Sequence, residues 1–300
     1  MTTKNTQSLI LIGGYGRSGS TIVDMELSRH FHAHSLGEVR YAKRHVVAGY
    51  RACSCGSEFS ECEFWSNYCL GDELLNATSV VEHTNVASAL AMALSQNKKL
   101  QIKQLYDSFF DRSSPRQVLV DSSKTSWGAF LRPFVIARAL KGRVNIIFIG
   151  VYRNPSNVLQ SLRSGSNEEM GNKNGKSILS ENLRIASPLL KLIASWTHAN
   201  TALLVNVLLL RLMGHKALVF AYEDIVKDFS LVTRGCGLDV KSEKEQLNHL
   251  MGGNRLAGGK KARIKPITRQ GSDTGFLVQA LLWVVLGPIR LGLTLVREKH

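Results

Sequence analysis

Residues Leu9–Ile22, LILIGGYGRSGSTI, decide how the fold is read. Four apolar residues, Leu9–Ile12, run into Gly13, Gly14 and Gly16, and a helix-compatible stretch opens at Ser20. A short apolar run that ends in glycines reads as a buried strand stopping in a tight turn. Glycines let the main chain approach an anion closely, and the N–H groups at the start of the following helix point at it. The stretch is a phosphate cradle in outline, with a glycine turn of no binding role as the alternative.

The loop departs from an ordinary nucleotide-triphosphate motif. Gly14 and Gly19 have Walker A spacing and Thr21 fills the hydroxyl position, but Ser20 stands where Lys is required. The cation has moved into the loop as Arg17. Without that Lys, and with no strand-end carboxylate for magnesium beyond Asp121, NTP hydrolysis is disfavoured. The run Gly16-Arg17-Ser18-Gly19-Ser20-Thr21 resembles instead the 5′-phosphosulfate loop of sulfotransferases that use 3′-phosphoadenosine 5′-phosphosulfate (PAPS).

Three further segments join it. Val144–Val151 is the clearest strand, and it ends in Tyr152-Arg153-Asn154-Pro155. Pro155 can open a helix without losing a needed donor, which puts Ser161 about two turns along it. Arg153 offers a bidentate fork to a phosphate and Ser161 a hydroxyl. Strand, Arg, Pro, helix and Ser resemble the 3′-phosphate motif of the same family, so the two loops together supply both ends of one nucleotide. Gln117–Val120 reads as a strand delivering Asp121-Ser122-Ser123-Lys124 at its carboxyl end, the edge where open α/β sheets bind ligands. Lys124 can neutralise a leaving phosphate oxygen there, or it is a solvated helix-start residue; DSSK after a strand also resembles the family. Glu38 closes the first βα unit at the same edge. It either stabilises a helix start or, in a place resembling the proposed base of tyrosylprotein-type sulfotransferases, takes a proton from the acceptor. Arg40 is a weaker candidate for acceptor binding.

Composition bounds the rest. Three hundred residues with 38 basic and 23 acidic side chains give a net charge of +15, which favours an anionic partner without choosing among nucleotide, nucleic acid, membrane or acidic glycan. The N-terminal apolar run is too short for a signal peptide, so a cytoplasmic chain is expected. His30, His32 and His34 would share a face on a strand and could bind metal; a histidine run at an element boundary is the plainer reading. Val39–Val47 and residues 70–112 read as mainly helical. Cys53-x-Cys55 with Cys62, within a Gly-, Ser- and Cys-rich insertion at 49–69, could hold zinc, form a disulfide or pack. The spacing lacks paired C-x-x-C arms, so a structural role for the thiols is preferred. CSCG with Phe64-Trp65 resembles an insertion of bacterial PAPS-type sulfotransferases.

Leu189–Met213 is a long apolar helix pattern in which WTHAN resembles the family's nucleotide-flanking helix, with Trp196 against adenine or in the core. Lys216–Tyr222 is another strand, and Glu223-Asp224 reads as a helix start. Asn254–Arg269 is strongly basic, and its GNR resembles a late family motif, which implies that Arg255 contacts the nucleotide, although the basic tail differs from the family's Lys-Gly-containing loop; a solvated basic loop, or one touching anionic lipid, is the other reading. Phe276–Val296 is an apolar run interrupted by Gly287-Pro288 and Arg290, fitting a docked or membrane-interface helix better than a span.

The resemblance covers about residues 8–265 and implies a PAPS-dependent sulfotransferase, of bacterial carbohydrate or tyrosylprotein type. Strands alternating with helices independently favour a three-layer, P-loop-like α/β fold with a central parallel sheet. The expected division is a catalytic domain over 1–270 and an apolar tail over 271–300. The resemblance implies that Gly16, Arg17, Ser18, Gly19, Ser20 and Thr21 hold the 5′-phosphosulfate, and that Arg153, Ser161 and Arg255 hold the 3′-phosphate. Arg17 and Lys124 would offset transition-state charge without a metal, and Glu38 would act as base. The acceptor is a carbohydrate, lipid, peptide or small molecule; no nucleic acid is expected, and peripheral membrane contact is. A small-molecule kinase and a non-catalytic, membrane-associated nucleotide-binding protein are the alternatives.

Overall fold

The computed structural model describes residues 7–16, 18–31, 33–42, 53, 55, 57–68, 86–110, 118–123, 129–163, 188–239 and 276–298. The elements run β1 (Ser8–Gly14), α1 (Ser20–Phe31), β2 (His34–Gly37), α2 (Val86–Leu94), α3 (Gln96–Phe110), β3 (Val118–Asp121), α4 (Arg132–Ala139), β4 (Asn145–Tyr152), α5 (Pro155–Arg163), α6 (Pro188–Leu212), β5 (Lys216–Ala221), α7 (Tyr222–Lys227), α8 (Ser230–Cys236) and α9 (Phe276–Val296). The five strands make one sheet in the order β2-β3-β1-β4-β5, and every pairing is parallel.

A parallel sheet is stable only when both faces are covered, and the strand sequences are apolar on both. Leu9 and Leu11 of β1 join Leu119, Ile146, Phe148 and Val219 in a core with side chains from α2, α3, α4, α5, α6 and α9. Ile10 and Ile12 turn to the other face, where Val120, Ile147, Ile149 and Phe220 meet Val23 and Leu27 of α1, Ile225 of α7 and Val232 of α8. The outcome is the three-layer α/β architecture expected from the alternating strands and helices.

The strand order creates the site. From β1 the chain leaves through α1 to β2 at one edge; from β4 it leaves through α5 and α6 to β5 at the other. Adjacent strands β1 and β4 thus send their connections in opposite directions, and a crevice opens above their carboxyl ends. The glycine loop and Tyr152-Arg153-Asn154-Pro155 are its two flanks.

Several local readings change. His30 belongs to α1, with its Nδ1 2.8 Å from Glu26 O, while His34 begins β2, so the two do not share a strand face. His32 lies outside the described residues. After Glu38 only a single 3-10 turn, Val39–Tyr41, precedes residues 43–50, which also lie outside. The helix at the end of the chain runs through Pro288 although proline removes a helix donor and crowds the preceding turn. Leu282 and Leu286 before it and Leu293 after it are all buried, and α9 packs along α6, so tertiary contact holds both halves in line. Residues Ile193–Leu212 of α6 are long and apolar enough to cross a membrane by length and composition. In this fold α6 is a core helix, with Trp196, Leu203, Val207 and Leu210 buried under the sheet.

Candidate functional site

The glycine loop is shaped by two positions that reject a side chain. Gly14 has φ +144°, and a Cβ there would lie 2.2 Å from Val151 O and 2.9 Å from Ser18 Oγ. Gly19 has φ +95°, and its Cβ would lie 2.2 Å from Tyr222 Cε2. Both are conformations that only glycine adopts readily. The turn is closed by Ser18 N–H donating to Tyr15 O at 3.1 Å, after which Ile22 and Val23 both donate to Gly19 O. The earlier N–H groups of α1 have no intrahelical acceptor, which is the condition for anion binding. Ser18 is almost completely buried, and its Oγ has no hydrogen-bond partner among the described residues. A buried hydroxyl left in that state is costly, and an oxyanion seated on the loop would satisfy it.

Across the crevice, β4 ends and α5 begins through a cap. Asn154 Oδ1 accepts the Ser156 N–H at 3.0 Å, and Pro155 occupies the first helical turn, where a missing donor costs nothing. Glu223 Oε1 accepts the Asn154 N–H at 3.1 Å and Asn157 Nδ2 at 2.9 Å, so it fixes this corner from the first turn of α7. Trp196 Nε1 donates to Arg153 O at 3.1 Å and the indole is fully buried, which makes Trp196 a core residue that positions Arg153. The Arg153 guanidinium carbon sits 5.0 Å above the centre of the Tyr222 ring. Burial raises the Tyr222 hydroxyl above its ordinary range, Arg153 pulls it down and Glu223 pushes it up. The Tyr222 ring therefore touches both flanks of the crevice: Gly19 packs on it, and Arg153 lies over it.

At the β2 and β3 ends, Ser122 N–H donates to Gly37 O at 3.0 Å and Arg40 N–H to Ser123 Oγ at 3.1 Å. These bonds hold Glu38, largely buried just beyond β2, beside the Asp121-Ser122-Ser123 turn. Asp121 itself is committed. Its Oδ2 accepts Arg132 Nη2 at 2.8 Å and the Tyr106 hydroxyl at 2.6 Å, and its Oδ1 accepts the Ser123 N–H at 2.9 Å. Burial drives the Tyr106 hydroxyl well above its usual range, with Asp121 adding to it and Arg132 opposing. With Arg132, Tyr106 and Ser123 on three of its acceptor sites, this fully buried carboxylate is committed to holding β3, α3 and α4 together.

The structure thus gathers Gly16, Ser18, Gly19, Ser20, Thr21 and Arg153 around one crevice, with Glu38 at the same sheet edge two strands away. Arg17, Lys124 and Arg255 lie outside the described residues; Ser161 is on α5, but its side chain lies outside them too. Sequence reasoning missed two contributors. Tyr222 read only as the end of a strand, and nothing local to it signals the pairing with Gly19. Asp24, on the buried side of α1, has no signal beyond an acid flanked one turn either side by Ser20 and Ser28.

No family model and no curated protein matches this sequence. Solved structures do. The sulfotransferase domain from the curacin biosynthetic pathway superposes with a TM-score of 0.51 at 16% identity, covering 98% of this chain and 99% of that one. The sulfotransferase domain from the Synechococcus PCC 7002 olefin synthase gives 0.49 at 16% identity, covering 100% and 98%. The sulfotransferase from Alicyclobacillus acidocaldarius gives 0.46 at 14% identity, covering 100% and 98%. The chain shares the fold of the first of these, a sulfotransferase domain, along nearly its whole length.

Proposed function

We propose that the protein transfers a sulfuryl group from PAPS to an acceptor hydroxyl or amine. The observation that carries the reading is the joint made by Tyr222, whose ring packs on Gly19 of one loop and lies 5.0 Å beneath the guanidinium of Arg153 on the other. A nucleotide with phosphates at both ends needs two anion subsites held at a fixed separation, and a rigid ring shared by both loops supports such a spacing. The fold shared with sulfotransferase domains supports the same reading.

In the proposed reaction the acceptor oxygen or nitrogen attacks sulfur in line. The bond from sulfur to the bridging phosphate oxygen breaks, and 3′-phosphoadenosine 5′-phosphate leaves with the electron pair. Glu38 takes the acceptor's proton. Main-chain N–H groups of residues 16–21, with the hydroxyls of Ser18, Ser20 and Thr21, hold the 5′-phosphosulfate. Arg17 and Lys124 offset the charge that grows on the sulfuryl and leaving oxygens, a role that preorganised cations fill without a metal. Arg153 takes the 3′-phosphate as a bidentate fork, with Ser161 and Arg255 beside it, and this contact rejects nucleotides that lack a 3′-phosphate.

The test is calorimetric titration of the full chain with 3′-phosphoadenosine 5′-phosphate and with ADP, without magnesium. Binding of the first with little binding of the second is expected. Preference for ADP that appears on adding magnesium would transfer the assignment to a kinase, and binding of neither by folded protein would leave the loop structural.

A second reading concerns location. Trp283, Val284, Leu291 and Leu295 are 69%, 72%, 62% and 74% exposed on the side of α9 away from α6. An apolar strip of this kind on a chain of net charge +15 fits peripheral contact with an anionic membrane surface. The acceptor classes open to the site are carbohydrate, lipid, peptide and small molecule, and membrane contact favours a lipid among them.

A further inference from the structure

The cysteine-rich insertion holds a cluster that the transfer chemistry does not use. Cys53, Cys55 and Cys62 are thiols, not disulfides, and their three sulfur atoms lie within 4.8 Å of one another. Cys55 Sγ and Cys62 Sγ are 3.8 Å apart. A disulfide would bring them to about 2.05 Å. Sulfurs at two corners of a tetrahedron around zinc, each about 2.3 Å from the metal, are about 3.8 Å apart. The observed separation equals the tetrahedral edge and is far longer than a disulfide bond.

Main-chain N–H groups reach two of the three sulfurs as well. The sulfur of Cys53 accepts the Cys55 N–H, and that of Cys55 accepts the Ser57 N–H. Cys53 N–H in turn donates to Ser57 O at 2.9 Å, which holds these two residues together. Cys62 enters from a second turn, its N–H donating to Glu58 O at 2.8 Å. Cys53 and Cys62 are fully buried and Cys55 is half-buried, so two sulfurs form a floor and the third faces outward.

We propose that Cys53, Cys55 and Cys62 bind one structural zinc ion, with the fourth corner of the tetrahedron left on the Cys55 side for water or another donor. Binding replaces three S–H bonds by three Zn–S bonds and releases three protons to solvent, with no change in oxidation state. The ion supplies what the insertion's own structure lacks: within the described part of 53–68 the only regular element is the 3-10 turn Trp65–Tyr68. That turn places Trp65 edge-on to Phe59, Phe64 and Phe109, and Phe64 stacks on His34, the first residue of β2. A zinc knuckle here fastens the insertion to α3 and braces the strand that carries Glu38 at its far end.

The test is metal analysis of the full-length protein purified without chelator, together with cobalt substitution. Wild type and Cys236→Ser, whose thiol is buried separately in α8, should each carry about one zinc per chain, and Cys55→Ser and Cys62→Ser about none. The cobalt form of the wild type should show thiolate-to-metal charge transfer and tetrahedral ligand-field bands, a readout that does not depend on any variant folding. Zinc-free wild-type protein with Cys55 and Cys62 joined in non-reducing peptide maps would overturn the proposal in favour of a disulfide. Zinc-free protein with all three thiols titratable would overturn it in favour of simple packing. Neither measurement involves nucleotide, so failure here is separate from failure of the sulfuryl-transfer reading.

Discussion

Replacing Asp24 with Asn should abolish a pH-dependent loss of stability. Asp24 is fully buried in α1, and its carboxyl is raised from 3.8 to about 7. Burial is the main cause; Asp121 adds to it, while the hydroxyls of Ser122, Ser35 and Ser28 oppose it. The folded chain therefore keeps this proton up to about pH 7, whereas the unfolded chain releases it near 3.8. Between those values the folded state binds more protons, so this group's contribution to stability falls as pH rises and is fully lost above the upper value. At about 1.4 kcal/mol per pH unit, the window of about three units is worth about 4 kcal/mol. Between about pH 5 and about pH 8 some two of those units are crossed, or about 3 kcal/mol. Asn has the shape of the neutral acid and never ionises, and the surrounding serine hydroxyls can turn to suit its amide. Urea unfolding of both proteins at the two pH values reads the effect. The stability of Asp24→Asn relative to wild type should rise by about 3 kcal/mol from the lower pH to the higher. A gap that is the same at both would show that Asp24 does not fold as a buried neutral acid, and the reasoning would fail.

Gly19→Ala places a methyl 2.2 Å from Tyr222 Cε2 at φ +95°, so the ring must shift and Arg153 with it. A loss of about tenfold or more in affinity for 3′-phosphoadenosine 5′-phosphate is expected by calorimetry, equivalent to about 1.4 kcal/mol, while Tyr222→Phe, which keeps the ring, should bind nearly as wild type. Arg132→Met leaves the Asp121 carboxylate buried without its cation and should cost about 3–5 kcal/mol in urea unfolding. Full stability in that variant would mean the ion pair with Asp121 is not holding β3 to α4. Trp283→Asp should reduce co-sedimentation with anionic vesicles and leave neutral vesicles unaffected; equal binding by both proteins would remove α9 as a membrane contact.

The sequence made the crevice legible because its parts are short and local. An apolar run into glycines, and a strand ending in Arg-Asn-Pro, each encode a strand, a turn and a helix start within a dozen residues, and the structure has β1, α1, β4 and α5 where those patterns put them. Tyr222 and Arg132 were not legible for the opposite reason. Their roles depend on particular side-chain pairings, Tyr222 with Gly19 some two hundred residues away and Arg132 with Asp121 of the preceding strand, and no local periodicity records such contacts. The histidine alternation lies at an element boundary, the plainer of its two readings, because a period of two has meaning only inside a strand and α1 gives way to β2 within it.

The electrostatics of the sheet edge tie these residues together. Under the proposed function, a nucleotide with phosphates at both ends would bring several negative charges to an edge that carries Asp24, Asp121, Glu223 and Glu38 within one or two residues of a strand end or one turn of the loop. The first three are neutralised by different means. Asp121 is paired with Arg132, Asp24 keeps its proton up to about pH 7, and Glu223 takes two N–H donors beside Arg153. Glu38, largely buried just beyond β2, is the carboxylate to which the proposed reaction gives the acceptor's proton. Protonation of Asp24 is the least secure of the three arrangements, and it lies one helical turn, about 6 Å of rise, beyond Ser20. A charge appearing there stands about 10 Å from a phosphate on the loop and costs about 1.7 kcal/mol per unit of phosphate charge at an effective dielectric constant of about 20. Affinity of the wild type for 3′-phosphoadenosine 5′-phosphate should therefore fall by at least about tenfold as pH rises through about 7, and Asp24→Asn should not show that fall. Parallel pH profiles in the two proteins would place the cause elsewhere and separate the acid beneath the loop from the site above it.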